Sequence, residues 1–113
     1  MKNKNYRKKK GKIMLRHIVA WTLKDEFSEQ EKAAIKIELK KQIEALVGVI
    51  PEIKELKVIT EMIERSNMDI TLDSAFESAE ALAIYRDHPA HVAVGDYLDT
   101  VYQDRTVLDY IED

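Results

Sequence analysis

The sequence predicts an α+β domain in which two helical regions cover one face of a four-stranded antiparallel sheet. Segments with a two-residue alternation of apolar side chains occur before, between and after two segments with helical spacing. At 113 residues the chain is most simply a single domain. Its 45% hydrophobic and 35% charged residues are typical of a folded globular protein.

The composition also excludes several kinds of site. The chain has no cysteine, so disulfides, thiolate catalysis and zinc sites of the cysteine type are ruled out. The apolar runs are only a few residues long, far short of a membrane span. We expect a cytoplasmic protein.

The charge is distributed very unevenly between the N-terminus and the rest of the chain. Residues 1–13 carry seven Lys and Arg and no acid, which leaves 11 basic against 21 acidic residues in the remainder. A basic arm could contact nucleic acid or a membrane surface. We interpret it as a disordered extension, or as an incorrectly assigned start upstream of Met14, because "KKKGK" is what a purine-rich ribosome-binding site encodes. The domain then covers residues 14–113, and its acidity argues against nucleic acid as its partner.

The first element is a strand over residues 16–23, "RHIVAWTL", which is dominated by β-branched and aromatic residues. Because side chains alternate across a strand, its residues divide between two faces. One face carries His17, Val19, Trp21 and Leu23, and the other carries Arg16, Ile18, Ala20 and Thr22. Both faces include apolar residues, which indicates that both are covered.

A helix follows the strand. Ser28 and Glu31 form the pattern of a capping box, which marks the N-terminus of a helix. Apolar residues then recur at helical spacing, at Ile35, Leu39, Ile43, Leu46 and Val47. Gly48 is predicted to end the helix, and Pro51 prevents its continuation.

Two further strands are predicted over residues 55–63 and 68–77, where apolar and polar residues alternate. The polar sequence "ERSN" at 64–67 separates them. We therefore predict an antiparallel hairpin.

The second helical region is interrupted by a proline. Ser78 is predicted to cap a short helix, which cannot continue straight through Pro89 because proline lacks the backbone N–H. Proline is well suited to a first helical turn, so a new helix is predicted with His88 at the N-cap and His91 at its third position. A closing strand is predicted over residues 105–111.

The resulting order, βαββαβ, is that of a ferredoxin-like fold. Its helices cover one face of the sheet, so the apolar residues on the other face, such as Ile18, Ala20 and Ile59, need a second cover. We predict a homodimer through the open sheet face, which would form a dimeric α+β barrel. The alternative is that these residues are scattered surface apolar groups, which are normal in globular proteins.

The titratable groups could converge on one cavity. His17 and Trp21 share a face of the first strand, and Tyr85, His88 and His91 lie in the second helical region. If that strand face is covered by the helices, these residues would line a cavity for a small-molecule ligand. Each also has a structural interpretation as a core residue or a helix cap, and His91 fits that interpretation least well because it begins an otherwise apolar stripe.

Other kinds of site receive little support. A metal site built on His88 and His91, three residues apart, lacks an obvious third ligand. The chain has no glycine-rich phosphate loop, no nucleophile elbow and no dinucleotide fingerprint. We therefore expect no metal and no cofactor.

Four segments resemble, in order, the stress-responsive A/B barrel domain (Dabb) family. They are "RHIVAWTLKDEFSE", "VIPEIKEL", "FESAEALAIYRDHPAHVAVGDYL" and "TVLDY", between about Leu15 and Tyr110. The resemblance implies a ferredoxin-like protomer that dimerises sheet to sheet into an α+β barrel.

The family includes a plant polyketide cyclase, and the resemblance to it assigns roles to individual residues. It implies that Tyr85 and His91 form a catalytic pair, that His17 lies in the same pocket, and that His88 belongs to the shared motif. We predict His91 as the general base and His17, His88 and Trp21 as residues that bind the substrate. The substrate would be a small apolar carbonyl or aromatic compound, and the reaction a cofactor-independent cyclisation or lyase reaction. The alternative is a small-molecule-binding or stress-response module without catalysis, since a fold does not determine an activity.

Overall fold

A computed structural model describes residues 13–113 of the chain, so the arm predicted over residues 1–13 lies outside the described residues except for Ile13. The described part contains four strands and three α-helices. They are β1 (Met14–Leu23), α1 (Glu29–Glu44), β2 (Glu55–Ile59), β3 (Ile70–Phe76), α2 (Ala79–Asp87), α3 (Pro89–Asp99) and β4 (Tyr102–Glu112). The strands form one sheet in the order β2-β3-β1-β4, and neighbouring strands are antiparallel. This confirms the predicted ferredoxin-like arrangement.

The central strand β1 has the two faces that its alternation predicts. His17, Val19, Trp21 and Leu23 are all at most 5% exposed, whereas the residues between them are half-buried. The pairing register then determines which residues of β3 and β4 share the buried face. His17 lies opposite Ser74 and Asp109.

The helix α1 begins where the capping box predicts. The Ser28 backbone N–H donates to the Glu31 carboxylate (2.8 Å), and the Glu31 backbone N–H donates to the Ser28 hydroxyl (3.1 Å). The α-helix ends at Glu44, and the chain tightens into a 3₁₀ turn over Ala45–Gly48. Tightening of this kind is common at helix ends, where the last carbonyls lack helical partners.

The hairpin is shorter than the alternation predicts. Strands were expected over 55–63 and 68–77, but β2 ends at Ile59 and β3 begins at Ile70, so residues 60–69 form the connection. At its end, Asp69 binds β1 instead of β2: its backbone N–H donates to the Trp21 carbonyl (2.8 Å), and its carboxylate accepts the Leu23 backbone N–H (2.8 Å). A strand needs a pairing partner as well as an alternating pattern. The lengths predicted from the alternation alone were therefore too long for both strands.

The second helical region is broken as predicted. Ser78 caps α2, and its hydroxyl accepts the Ala81 backbone N–H (3.1 Å). His88 has extended backbone angles and is the N-cap of α3, in which Pro89 is the first residue.

The closing strand is longer than residues 105–111, because β4 covers Tyr102–Glu112. It pairs with β1 from Met14 to Leu23, with one irregularity beside Thr22. Pairing with this long partner extends the strand through the polar residues Gln103 and Asp104, which strand propensity alone disfavours.

The core lies between the sheet and the helices. One cluster of buried residues is centred on Trp21, Leu39 and Leu72, and a second is centred on Phe76 and Tyr85. Within residues 13–113 no helix combines the length and apolarity needed to cross a bilayer. The cytoplasmic location stays a prediction.

Candidate functional site

A cavity of about 230 Å³ lies between β1 and the helices at the junction of the two core clusters. It follows β1 from His17 to Trp21 and α3 from His91 to Asp99. Much of its wall is apolar and is formed by Val19, Trp21, Ile43, Leu46, Leu72, Val94 and Leu98. A cavity that combines apolar wall with polar groups is typical of a small-molecule site.

The polar side chains of the wall come from four elements. They are His17, Tyr85, His91, Asp99, Tyr102 and Arg105. The structure thus brings His17, Trp21, Tyr85 and His91 together, as the sequence suggested.

Tyr85 is the best buried of these polar residues, with only 1% of its surface exposed. Its ring packs between Phe76 and His91, with centroid distances of 4.9 Å and 4.5 Å. Burial raises the pKa of Tyr85 to about 12, so its hydroxyl keeps its proton at neutral pH. The hydroxyl forms no hydrogen bond with another residue of the described chain, which leaves it available as a donor to a ligand.

His91 lies in the first turn of α3, and its Nδ1 atom is 3.0 Å from the Arg86 carbonyl oxygen. A carbonyl oxygen can only accept, so Nδ1 carries the hydrogen and Nε2 carries the lone pair. Burial is the main cause that lowers the pKa of His91; the bond to Arg86 opposes the change, and the charges of His17, Arg105 and Arg86 reinforce it. The ring is therefore neutral at neutral pH, with Nε2 unprotonated and able to act as a base.

His17 is 5% exposed, and its Nδ1 atom lies 2.5 Å from a carboxylate oxygen of Asp109 on β4. The Ser74 hydroxyl donates to the His17 backbone carbonyl (2.7 Å) and fixes the backbone on the other side. With Nδ1 bonded to a carboxylate, the ring is held in one orientation and Nε2 is left for other contacts.

The sequence alone gave no indication that Asp109 contacts His17. Aligning "RTVLDY" antiparallel to "RHIVAW" in the observed register places Asp109 opposite His17. That register depends on a pairing between the two ends of the chain and is not visible in either segment alone.

His88 does not join the other histidines. Its Nδ1 atom accepts the Ala90 backbone N–H (3.0 Å), and His88 is not among the described residues that line the cavity. Its side chain caps α3, and by doing so it fixes where that helix begins.

Trp21 is one of the residues that line the cavity and is 3% exposed. Its Nε1 atom is the one buried side-chain nitrogen or oxygen in the described chain that has no hydrogen-bond partner. Unpaired buried donors are rare because each loses its bond to water without a replacement. Its neighbour across the pair with β4 is Arg105.

The described residues do not form a metal-binding site. Within residues 13–113 no three His, Asp or Glu residues are grouped so that they could hold a metal ion. The Nδ1 atoms of His88 and His91 are each directed to a different backbone group.

Comparison with known proteins places this arrangement in a family. The sequence model described as the Stress responsive A/B Barrel Domain (Dabb) matches residues 15–112. Olivetolic acid cyclase from Cannabis sativa is 29% identical to the chain over 101 residues, which cover 87% of this chain and 96% of the cyclase.

Solved structures agree with this match. A dimeric protein with a ferredoxin-like fold from Bacteroides fragilis superposes with a TM-score of 0.81 at 33% identity, over 86% of this chain and 94% of that protein. Hydroxynitrile lyase from Passiflora edulis gives a TM-score of 0.72 at 22% identity, over 88% and 94% of the two chains, and shows the shared fold alone.

Proposed function

Because this chain belongs to the stress-responsive A/B barrel domain family, we propose that it acts on a small apolar carbonyl or aromatic compound in the cavity beneath α3. We propose cofactor-independent aldol- or lyase-type chemistry with His91 as the general base and Tyr85 as its partner. The observation that carries the proposal is the contact of these two rings, whose centroids are 4.5 Å apart, at the wall of a cavity lined by apolar and polar side chains.

The proposed reaction uses the two protonation states described above. The Nε2 atom of His91 removes a proton from a carbon next to a carbonyl group, and the Tyr85 hydroxyl donates a hydrogen bond to the oxygen on which negative charge develops. The carbanion then attacks a second carbonyl carbon of the substrate, whose oxygen becomes an alkoxide, and the imidazolium of His91 gives its proton to that alkoxide. In a lyase the steps run in reverse: Nε2 removes the hydroxyl proton, the carbon–carbon bond breaks, and the imidazolium protonates the carbanion that leaves. In both directions no oxidant or cofactor is consumed.

His17 and Trp21 have supporting roles in this proposal. The carboxylate of Asp109 orients the ring of His17, whose centroid lies 6.3 Å from that of Tyr85. Trp21 forms part of the cavity wall at the end of the β1 segment that lies away from His17. We propose that His88 fixes where α3 begins and thereby the position of His91, and that it does not contact the substrate.

The named relatives support the chemistry to different degrees. Olivetolic acid cyclase, at 29% identity over nearly its whole length, is by its name a cyclase. The hydroxynitrile lyase shares the fold at lower identity, so it shows only that this fold can carry lyase activity.

The experiment that tests the proposal is a screen of small β-diketones and aromatic aldehydes by thermal shift, followed by turnover assays of those that bind. We expect bound compounds to stabilise the wild type, and turnover to fall by about 10²–10⁴ in His91→Ala and to a smaller degree in Tyr85→Phe. Val92→Ala is the matched control, because Val92 is an exposed neighbour of His91 on α3. Equal stabilisation and equal turnover in wild type and His91→Ala would contradict the proposal. Binding that His91→Ala weakens, with no turnover by the wild type, would favour the alternative of a binding module without catalysis.

We also propose that the protein is a homodimer through its open sheet face. Related structures of this fold are dimeric proteins, which supports dimerisation. The open face carries Ile18 paired with Leu108, and Leu108 is 55% exposed in the isolated chain. The charged residue beside them, Arg16, is already paired with Asp73 and Glu55 at 2.7 Å each, so covering this face would not bury an unpaired guanidinium.

A further inference from the structure

Arg105 lies on β4 directly opposite Trp21, on the face of the sheet that the helices cover. It lines the cavity four residue positions along the strands from the pair of His17 and Asp109. At about 3.3 Å per residue, the two ends of the cavity are about 13 Å apart along the sheet. The cavity therefore has the histidines at one end and a guanidinium at the other.

The charge of Arg105 is unpaired within the described chain. Its side chain forms no hydrogen bond and no ion pair with another described residue, although Asp99 lines the same end of the cavity. Arg105 is an exposed residue, whereas Arg16, on the other face of the sheet, binds two carboxylates at 2.7 Å each. An unpaired guanidinium beside an apolar cavity provides a fork of donors for an anion.

Arg105 also acts on the other end of the cavity. Its charge is among the causes that lower the pKa of His91, after the larger effect of burial. The unpartnered indole N–H belongs to Trp21, the residue paired with Arg105. The guanidinium of Arg105 and the indole N–H of Trp21 are both hydrogen-bond donors without an acceptor in the described chain. They belong to two residues that face each other across the sheet.

We propose that Arg105 binds a carboxylate of the ligand, so that the pocket selects small organic anions whose apolar body lies along Val19 and Leu98. This inference rests on the proposed function, because it names the class of compound that the same pocket takes. A carboxylate at Arg105 would direct the rest of the molecule toward Tyr85 and His91, where the carbonyl group reacts.

The test compares two probes of the same shape that differ in charge, para-butylbenzoate and para-butylbenzamide, by titration calorimetry. We expect the wild type to bind the benzoate more tightly than the benzamide. Arg105→Gln should weaken the benzoate about tenfold, which is the effect of losing one charge-assisted interaction, and change the benzamide less than about twofold. Arg65→Gln, in the exposed connection between β2 and β3, is the matched control and should bind both probes as the wild type does.

Two further measurements sharpen the result. Asp99→Asn removes the one carboxylate that lines this end of the cavity, so it should bind the benzoate more tightly than the wild type. Raising the salt concentration should weaken the benzoate in the wild type and leave the benzamide unchanged, because salt screens charge interactions at an open site.

The outcomes separate this inference from the proposed function. Equal affinity of the wild type for the two probes, or full affinity of a folded Arg105→Gln for the benzoate, would overturn the role of Arg105 and leave the pocket in place. Failure of both probes to bind the wild type would overturn the pocket's proposed preference for aromatic ligands together with this inference.

Discussion

The Nδ1 atom of His17 lies 2.5 Å from a carboxylate oxygen of Asp109, a residue 92 positions further along the chain. The two residues face each other across the pairing of the first and last strands. The contact holds a buried imidazole at the wall of the cavity, while the carboxylate itself stays 41% exposed. Closure of the sheet by β4 is therefore coupled to the geometry of the site.

Asp109→Ala should lower the free energy of unfolding by about 1–3 kcal/mol, because it leaves the buried His17 ring without its partner. Asp109→Asn keeps an oxygen that can accept from Nδ1 and should cost less. Asp104→Ala is the control, since Asp104 lies on the same strand and bonds Thr22 at an exposed position. Urea unfolding measures all three variants, and equal losses for Asp109→Ala and Asp104→Ala would contradict a special role for the His17 contact.

The pKa of His91 makes a prediction about the dependence of stability on pH. Its pKa in the folded protein lies below the ordinary value of 6.5, chiefly because the ring is buried. As the pH falls below about 6.5, the unfolded chain binds a proton at this residue and the folded chain does not, so the folded state loses stability until the pH reaches the lowered pKa. Above about 6.5 both states are neutral at this residue and it has no effect.

We therefore expect His91→Gln to lose less stability than the wild type when the pH is lowered from about 7.5 to about 5.5. Urea unfolding at the two pH values gives the difference for each protein, and the wild type serves as the reference for all the other titrating groups. A larger acid-induced loss in His91→Gln than in the wild type would contradict the assignment of a buried neutral ring.

Local patterns predicted much of this fold and only part of the site. Three features depend only on short segments of sequence, and the structure confirms them: the alternation in β1, the capping box at Ser28 and the helix break at Pro89. Arg105 reaches the cavity, and Asp109 reaches His17, only through the register of β4 against β1, which a short segment does not specify. The prediction of strands over 55–63 and 68–77 was too long for the same reason, because pairing between strands decides where a strand ends.

The position of His88 leads to a prediction that separates capping from substrate binding. His88→Ala should lower the free energy of unfolding by about 1 kcal/mol, because the Ala90 backbone N–H loses its acceptor, whereas His88→Asn restores an N-cap and should recover most of the loss. His88→Asn, in which the cap is restored, should bind cavity ligands with affinities within about twofold of the wild type. Loss of ligand affinity in a stable His88→Asn variant would show that His88 contacts the ligand directly.

The open face of the sheet gives a prediction about assembly. Ile18 and Leu108 are paired on this face, and Tyr110 lies beside them with 45% of its surface exposed. Leu108→Asp places a charge at the centre of the proposed contact between two sheets, where it would be buried without a partner. We expect a dimer for the wild type and a monomer for Leu108→Asp by light scattering at micromolar concentration.

Ile63→Asp is the matched control for this substitution, because Ile63 is 76% exposed and lies outside the sheet, in the connection between β2 and β3. It should remain dimeric, since the proposed interface does not include it. Circular dichroism establishes that both variants are folded, which is expected because both side chains are exposed in the isolated chain. A monomeric wild type would contradict dimerisation itself, and a monomeric Ile63→Asp with a dimeric Leu108→Asp would move the interface from the open sheet face to the β2–β3 connection.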